Sequence, residues 1–144
     1  MITAADFVRE ARSLVGVPWV HLGRTRHGVD CIGLIVLAAK NAGLDVFEES
    51  GCPRISRYGR KPDPKLYELV ARHCERATSP VPGSVALFRF HGEKHSRHFG
   101  VITFDDTMIH AEAKSRQCVV EHGYRMQWLR WTDSLWKIPG VSYE

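Results

Sequence analysis

The stretch Val29-Asp30-Cys31-Ile32-Gly33-Leu34-Ile35-Val36-Leu37-Ala38-Ala39 constrains the fold more than any other part of the chain. From about Cys31 to Ala42 it reads as a helix, with Gly43 at the position after the C-cap. That helix is apolar on every side. It has no face to offer water, so it belongs in the middle of a domain, covered by other elements. Its start puts a sulfur at a helix N-terminus. First-turn N–H groups without intrahelical acceptors, and the positive end of the helix dipole, favour a thiolate there. Thiolate is the attacking species in covalent catalysis. The junction therefore proposes a nucleophile, and the rest of the chain must supply a base.

Other elements stand ready to cover the helix. Thr3 and Asp6 form a capping-box pattern, and a helix of about a dozen residues follows. Phe7, Ala11, Leu14 and Val15 are its apolar stripe, and Gly16 and Pro18 end it. Residues 16–30 read as a loop, and 44–63 as an irregular excursion. Pro64 to about Arg76 reads as a peripheral third helix, stopped before Pro80-Val81-Pro82-Gly83. Strand patterns then follow one another: Val85–Phe90, His98–Phe104, Thr107–Ala111, Gln117–Glu121 and Ser134–Ile138. Helices first and consecutive strands afterwards predict an α+β domain with an antiparallel sheet of about five strands.

The base is sought among eight histidines. His98 opens one strand pattern, His110 closes the next, and both are flanked by apolar residues. Their relation depends on the turn at Asp105-Asp106. A two-residue turn sets His110 opposite Val101, on the face away from His98. An odd connection or a bulge sets it opposite Gly100. The two imidazoles are then diagonal neighbours on one face, roughly 7–8 Å apart at the backbone. A catalytic reading requires the odd connection.

Composition narrows the remaining classes. A length of 144 residues fits one domain with a real core. The net charge of +4 is a mild bias. Arg24, Arg26, Arg54, Arg57, Arg60 and Lys61 are spread over loops without interleaved aromatics, which argues against nucleic acid. They read as a solvated face, or more sharply as a surface for an anionic polymer carrying carboxylates. No stretch approaches the ~20 apolar residues of a membrane span. The first residues lack a signal-peptide pattern, so the expectation is a chain made in the cytoplasm. Cys31, Cys52, Cys74 and Cys118 lack CxxC spacing and read as reduced thiols, the last three as small buried hydrophobes. His91, His95 and His98 have a spacing that a zinc site would tolerate, although Gly92, Lys94, Ser96 and Arg97 make the segment look like a basic loop. Trp128, Trp131 and Trp136 read as core and lid packing.

Asp30-Cys31-(x)-Gly33-Leu34, His98-(x)-Gly100-Val101 and Ile109-His110-Ala111, in this order, resemble the NlpC-type family of cell-wall cysteine peptidases. Gly16-Val17-Pro18-Trp19 and Pro82-Gly83-Ser84-Val85 match its flanking blocks, and the resemblance runs from about residue 7 to 138. Trp19-Val20-His21-Leu22-Gly23-Arg24 together with Cys31-Ile32-Gly33-Leu34 is most similar to the phage tail-associated branch. The resemblance implies a compact papain-like fold in which the nucleophile helix packs on an antiparallel sheet carrying the base. It implies one domain over 1–144, with 44–80 a family-variable insertion. The activity implied is hydrolysis of amide bonds in peptidoglycan stem peptides, often between the γ-carboxyl of D-glutamate and a diamino acid. By position Cys31 attacks, His98 is base and then acid, and His110 orients His98. The backbone N–H of Cys31 helps hold the oxyanion. Trp19, His21, Asp30 and Ile32 are the candidate substrate-binding residues. Neither metal nor cofactor is implied. The implied partners are the wall peptide and phage tail proteins, with the domain monomeric and carried by the virion tail.

Three positions depart from the family pattern. Trp19 stands where tyrosine is usual and Ile32 where serine is common, and Ser84 replaces the aspartate of a Gly-Asp pair. The first two motivate a second reading: a catalytically silent tail component or wall-binding module that keeps the fold. Acyl transfer or lipid amide chemistry is a third, which the order of cysteine before histidine disfavours. A metallohydrolase is the last.

Overall fold

A computed structural model of the chain describes residues 1–44 and 64–144. Expectations for 45–63, including Cys52, fall outside the described residues. Helix α1 (Ala4–Arg12) starts at the capping box, with Asp6 N–H donating to Thr3 Oγ1 at 3.0 Å and Thr3 N–H to Asp6 Oδ2 at 3.1 Å. It is shorter than its pattern suggests, and turns carry the chain on to Gly16, whose φ is +94°. Phe7, Ala11 and Leu14 are buried as expected, but Val15, beyond the helical register, is 46% exposed.

Helix α2 (Cys31–Asn41) is the buried helix. Leu34, Leu37, Ala38 and Ala39 sit in the larger core cluster with Phe7 of α1 and with Val101 and Ile109 of the sheet. Each fully buried Leu, Ile or Val contributes about 1.5–3 kcal/mol. Between the two helices the segment 16–30 is more ordered than a loop. β2 (Arg24–Thr25) and β3 (Gly28–Val29) form a small hairpin. Its arm approaches the first turn of α2 so closely that a Cβ on Gly33 would lie 2.0 Å from the Gly23 carbonyl oxygen. Only glycine fits there.

Helix α3 (Pro64–His73) ends before Arg76, where its pattern had predicted the end. Glu75–Ala77 is instead β4, an edge strand paired with Leu135, Trp136 and Lys137, and Arg76 lies over the Trp136 ring at 5.3 Å. Pairing with a distant strand overrides the local helical preference. The main sheet has six strands, β5 (Val85–Phe88), β6 (His98–Ile102), β7 (Thr107–Ala111), β8 (Val119–Gly123) and β9 (Thr132–Lys137) joining β4. Their order is β4-β9-β5-β6-β7-β8, every neighbouring pair antiparallel. β8 starts two residues after the Gln117 its pattern indicated, and β9 two residues before Ser134. A short parallel pair, β1 (Ile2–Thr3) with β10 (Val141–Ser142), ties the two ends of the described chain together. The α+β class is as the sequence predicts, with one more strand in the sheet.

The two sheet faces differ. Phe99, Val101, Ile109 and Val119 face α1 and α2. Ala86, Phe88, Ile102 and Met108 face the other way, under Phe90, Tyr124, Trp128 and Trp131. The last two tryptophans come from a one-turn helix, α4 (Gln127–Trp131), which no sequence period could announce. Among the described residues, no helix is long and apolar enough to cross a membrane.

Candidate active site

The connection between β6 and β7 is the odd one. Val101 pairs with Ile109 and Ile102 with Met108, which sets Gly100 opposite His110. Thr103 N–H donates to the Thr107 carbonyl at 3.0 Å, closing a three-residue tip in which Asp106 has φ +58°. Side chains pin this geometry. Asp105 N–H and Thr107 N–H both donate to Thr103 Oγ1, at 3.1 and 3.3 Å. Thr107 Oγ1 donates to Glu121 Oε2 at 2.6 Å, and Arg12 from α1 clamps both oxygens of Glu121 at 2.9 Å.

The consequence is a row of imidazoles. His98 and His110 share a face, with His98 Nε2 and His110 Nδ1 2.8 Å apart. The row does not stop there. His110 Nε2 lies 2.8 Å from His122 Nε2, and His122 Nδ1 lies 3.0 Å from the Gly123 carbonyl oxygen. Sequence reasoning missed His122. The signal was available: 98, 110 and 122 are equally spaced by twelve, the repeat that two successive hairpins of this register turn into a diagonal across three strands.

The indole of Trp128 packs against all three rings, with centroids 6.4, 4.9 and 5.2 Å from those of His98, His110 and His122. Phe88 and Phe90 flank His98 at 6.0 and 5.8 Å. This apolar casing disfavours imidazolium. Burial, reinforced by His110 and Arg97, pushes His98 well below the usual histidine range. Burial and then His122 lower His110 to about 4, opposed by Glu112. Both rings are therefore neutral bases at pH 7.

Cys31 meets this row in a cleft of about 480 Å³ at the end of the sheet where β6 begins and β7 ends. Cys31 and Trp19 line one side, His98, His110, Phe90 and Trp128 another, and the β7–β8 loop with Glu112 and Lys114 forms a rim. Glu112 shapes that loop by accepting from the backbone N–H of Ser115 and Arg116, at 2.9 and 2.7 Å, and from the Ser115 hydroxyl. Trp19 is held by its own backbone, its N–H donating to the Gln117 carbonyl at 2.8 Å while Pro18 accepts from Val29 at 3.0 Å.

Three expected substrate-binding residues, Asp30, Ile32 and His21, do not line the cleft. Asp30 is fully buried and acts as the N-cap of α2. Its carboxylate accepts from Gly33 N–H at 2.7 Å and Leu22 N–H at 2.8 Å, and pairs with Arg24 Nη1 at 2.9 Å. With no exposed surface, the carboxylate serves the fold and does not meet the cleft. Ile32 is 2% exposed and lies in the core near Leu69, Val70 and Trp136, because the second residue of the helix already belongs to its buried surface. His21 is exposed and stacks on Trp19 at 6.2 Å, outside the cleft wall. Cys74 and Cys118 are half-buried rather than buried, and Cys31, Cys74 and Cys118 form no disulfide. Among the described residues, no group of three or more His, Cys, Asp or Glu side chains is arranged to hold a metal ion.

A cysteine at the head of a buried helix and two imidazoles within hydrogen-bond distance of each other thus line one cleft of a papain-like α+β fold. The chain belongs to the NlpC/P60 family, whose profile matches residues 16–137. Solved structures agree at the level of the fold. The NlpC/p60 domain of the peptidoglycan hydrolase SagA is similar with a TM-score of 0.59 and 17% identity, covering 95% of this chain and 100% of that one. NlpC1 from Trichomonas vaginalis gives 0.64 and 16%, covering 93% of this chain and 44% of that one. The peptidoglycan hydrolase RipB from Mycobacterium tuberculosis gives 0.58 and 18%, covering 94% and 64%. The chain thus spans less than two thirds of several of these longer proteins. No curated protein matches it.

Proposed function

We propose that this chain is a cysteine peptidase that hydrolyses an amide bond of peptidoglycan stem peptides, between the γ-carboxyl of D-glutamate and a diamino acid. The observation that carries the reading is the convergence of Cys31, His98 and His110 on one cleft. His98 Nδ1 takes the proton from Cys31 Sγ, and the thiolate attacks the amide carbonyl. The Cys31 N–H, in the first turn of α2, is an oriented donor for the oxyanion. His98 then passes its proton to the leaving amine. Water, deprotonated by the same nitrogen, releases the acid product and restores the thiol. His110 holds the His98 ring throughout. Trp19 offers an indole N–H and a flat apolar surface beside the nucleophile.

The family membership and the two relatives named as peptidoglycan hydrolases support the substrate class. The net charge of +4 suits an anionic polymer. Resemblance of the Trp19–Arg24 block to the phage tail-associated branch supports a particle-borne enzyme that meets the wall from outside the cell in which it was made.

Mass spectrometry of purified sacculi after digestion tests all of this together. The protein is expected to release muropeptides cut at one amide bond, and Cys31→Ser and His98→Ala to release none while keeping the native circular dichroism spectrum. Cleavage by Cys31→Ser overturns the mechanism. Intact sacculi after treatment with native protein favour a silent wall-binding module.

A further inference from the structure

We propose that His122 is a positioning residue: anchored on the Gly123 carbonyl, it fixes the tautomers of His110 and His98 so that Nδ1 of His98, the nitrogen His110 does not use, is bare in the cleft that also holds Cys31. This deepens the peptidase reading and rests on it for its consequence, though not for its geometry.

The argument is a count of protons along the row. A carbonyl oxygen only accepts, so the 3.0 Å contact with Gly123 requires a proton on His122 Nδ1. In a neutral ring the other nitrogen, Nε2, is then an acceptor. It lies 2.8 Å from His110 Nε2, which must therefore carry the proton. His110 Nδ1 is bare in turn and accepts from His98 Nε2 at 2.8 Å. That leaves the proton of His98 on Nε2 and its Nδ1 free to take one. One backbone carbonyl thus dictates the protonation pattern of three rings. Without the anchor, His110 has two tautomers of similar standing, and one of them forces the proton of His98 onto the wrong nitrogen.

The arrangement also serves the reaction. When His98 takes the proton of Cys31, its Nε2–H still faces the bare Nδ1 of His110, so the imidazolium keeps that hydrogen bond, now charge-assisted, and meets no opposing donor. Trp128 packs against every ring and narrows the room for competing partners. Among the described residues, the charged groups at the margins of the row are Arg97 before β6, Glu112 after β7, and Arg125, whose guanidinium lies beside Gly123.

Long-range proton–nitrogen correlation spectra of the imidazoles report tautomers without any substrate. At pH 7 the native protein is expected to show bare Nδ1 on His98, protonated Nε2 on His110 and protonated Nδ1 on His122. His122→Phe keeps a ring against Trp128 but removes the acceptor. It is expected to give mixed His110 tautomers and a kcat on muropeptides lower by about 10-fold or more, with KM unchanged. His122→Gln restores the polarity, its carbonyl accepting from His110 and its amide donating to Gly123, and is expected to recover most of kcat. A proton on Nδ1 of His98 in the native protein overturns the proposal. So does equal loss in the Phe and Gln variants, which would mark a packing role, or no loss in either. Because the spectra need no activity, a native protein that cuts nothing while showing the expected tautomers would sink the peptidase reading alone.

Discussion

Asp30→Ala separates a structural role from a substrate contact at the residue next to the nucleophile. The native carboxylate caps α2 through Gly33, satisfies Leu22 N–H and neutralises Arg24, all at 2.7–2.9 Å and with no solvent exposure of its own. Loss of the cap costs about 1 kcal/mol. Leu22 N–H, on an exposed residue, loses its acceptor too, which adds about 1 kcal/mol. Arg24, only 24% exposed, keeps a charge with no counter-ion. Removing one partner of such a pair costs about 3–5 kcal/mol in all, the separate contributions overlapping. That is a large share of the roughly 5–15 kcal/mol a domain has. In a urea titration followed by tryptophan fluorescence, with a slope of about 2 kcal/mol/M, the midpoint should fall by about 2 M. Adding Arg24→Leu to Asp30→Ala should recover part of the loss, since the stranded charge goes with it. A midpoint shift below about 0.5 M, worth about 1 kcal/mol, refutes the reasoning. So does unchanged stability with muropeptide cleavage abolished, which would return Asp30 to the substrate site.

Other expectations follow from the same contacts. His110 is neutral in the fold down to about pH 4, while the unfolded chain takes its proton near 6.5. Its contribution is therefore present above pH 6.5 and lost as pH falls, by about 3 kcal/mol at pH 4, and His98 acts in the same direction. Urea midpoints measured from pH 8 to 4 should show the decline, and His110→Gln should flatten it. Gly33→Ala gains helix propensity of about 1 kcal/mol but drives a Cβ onto the Gly23 carbonyl, so a lower Tm is expected. Asp106→Gly relieves a left-handed backbone and should leave stability equal or higher, whereas Asp106→Val should lower it by more than about 1 kcal/mol.

What was legible in the sequence is what local chemistry dictates. The all-round apolar run could only be a buried helix, and its head fixed the place of Cys31. Strand alternation reduced the His98–His110 question to the parity of one turn, and the Thr103, Thr107, Glu121 and Arg12 contacts supply the odd answer. Those contacts join positions 109 residues apart, which no local pattern displays. Distance in sequence also hid the pairing of β4 with β9 and of β1 with β10. Asp30 was misread because a cap and a ligand-binding carboxylate look alike beside a nucleophile. Counting first-turn N–H groups in need of an acceptor would have favoured the cap. Ile32 was misread because a family position was allowed to outweigh helical periodicity. The row's third ring was overlooked because the strand pattern read from the sequence stops at Glu121, one residue short of His122, which has no motif of its own.

The central claim is that the sulfur of Cys31 is activated by a neutral His98 whose free nitrogen faces it. Alkylation by iodoacetamide, mapped to individual cysteines by mass spectrometry across pH 5–9, measures this directly. Cys31 should be modified well below pH 8 and faster than Cys74 or Cys118, with the advantage gone in His98→Ala. Equal, slow modification of all three thiols at every pH, or a fast Cys31 indifferent to the loss of His98, would contradict the account.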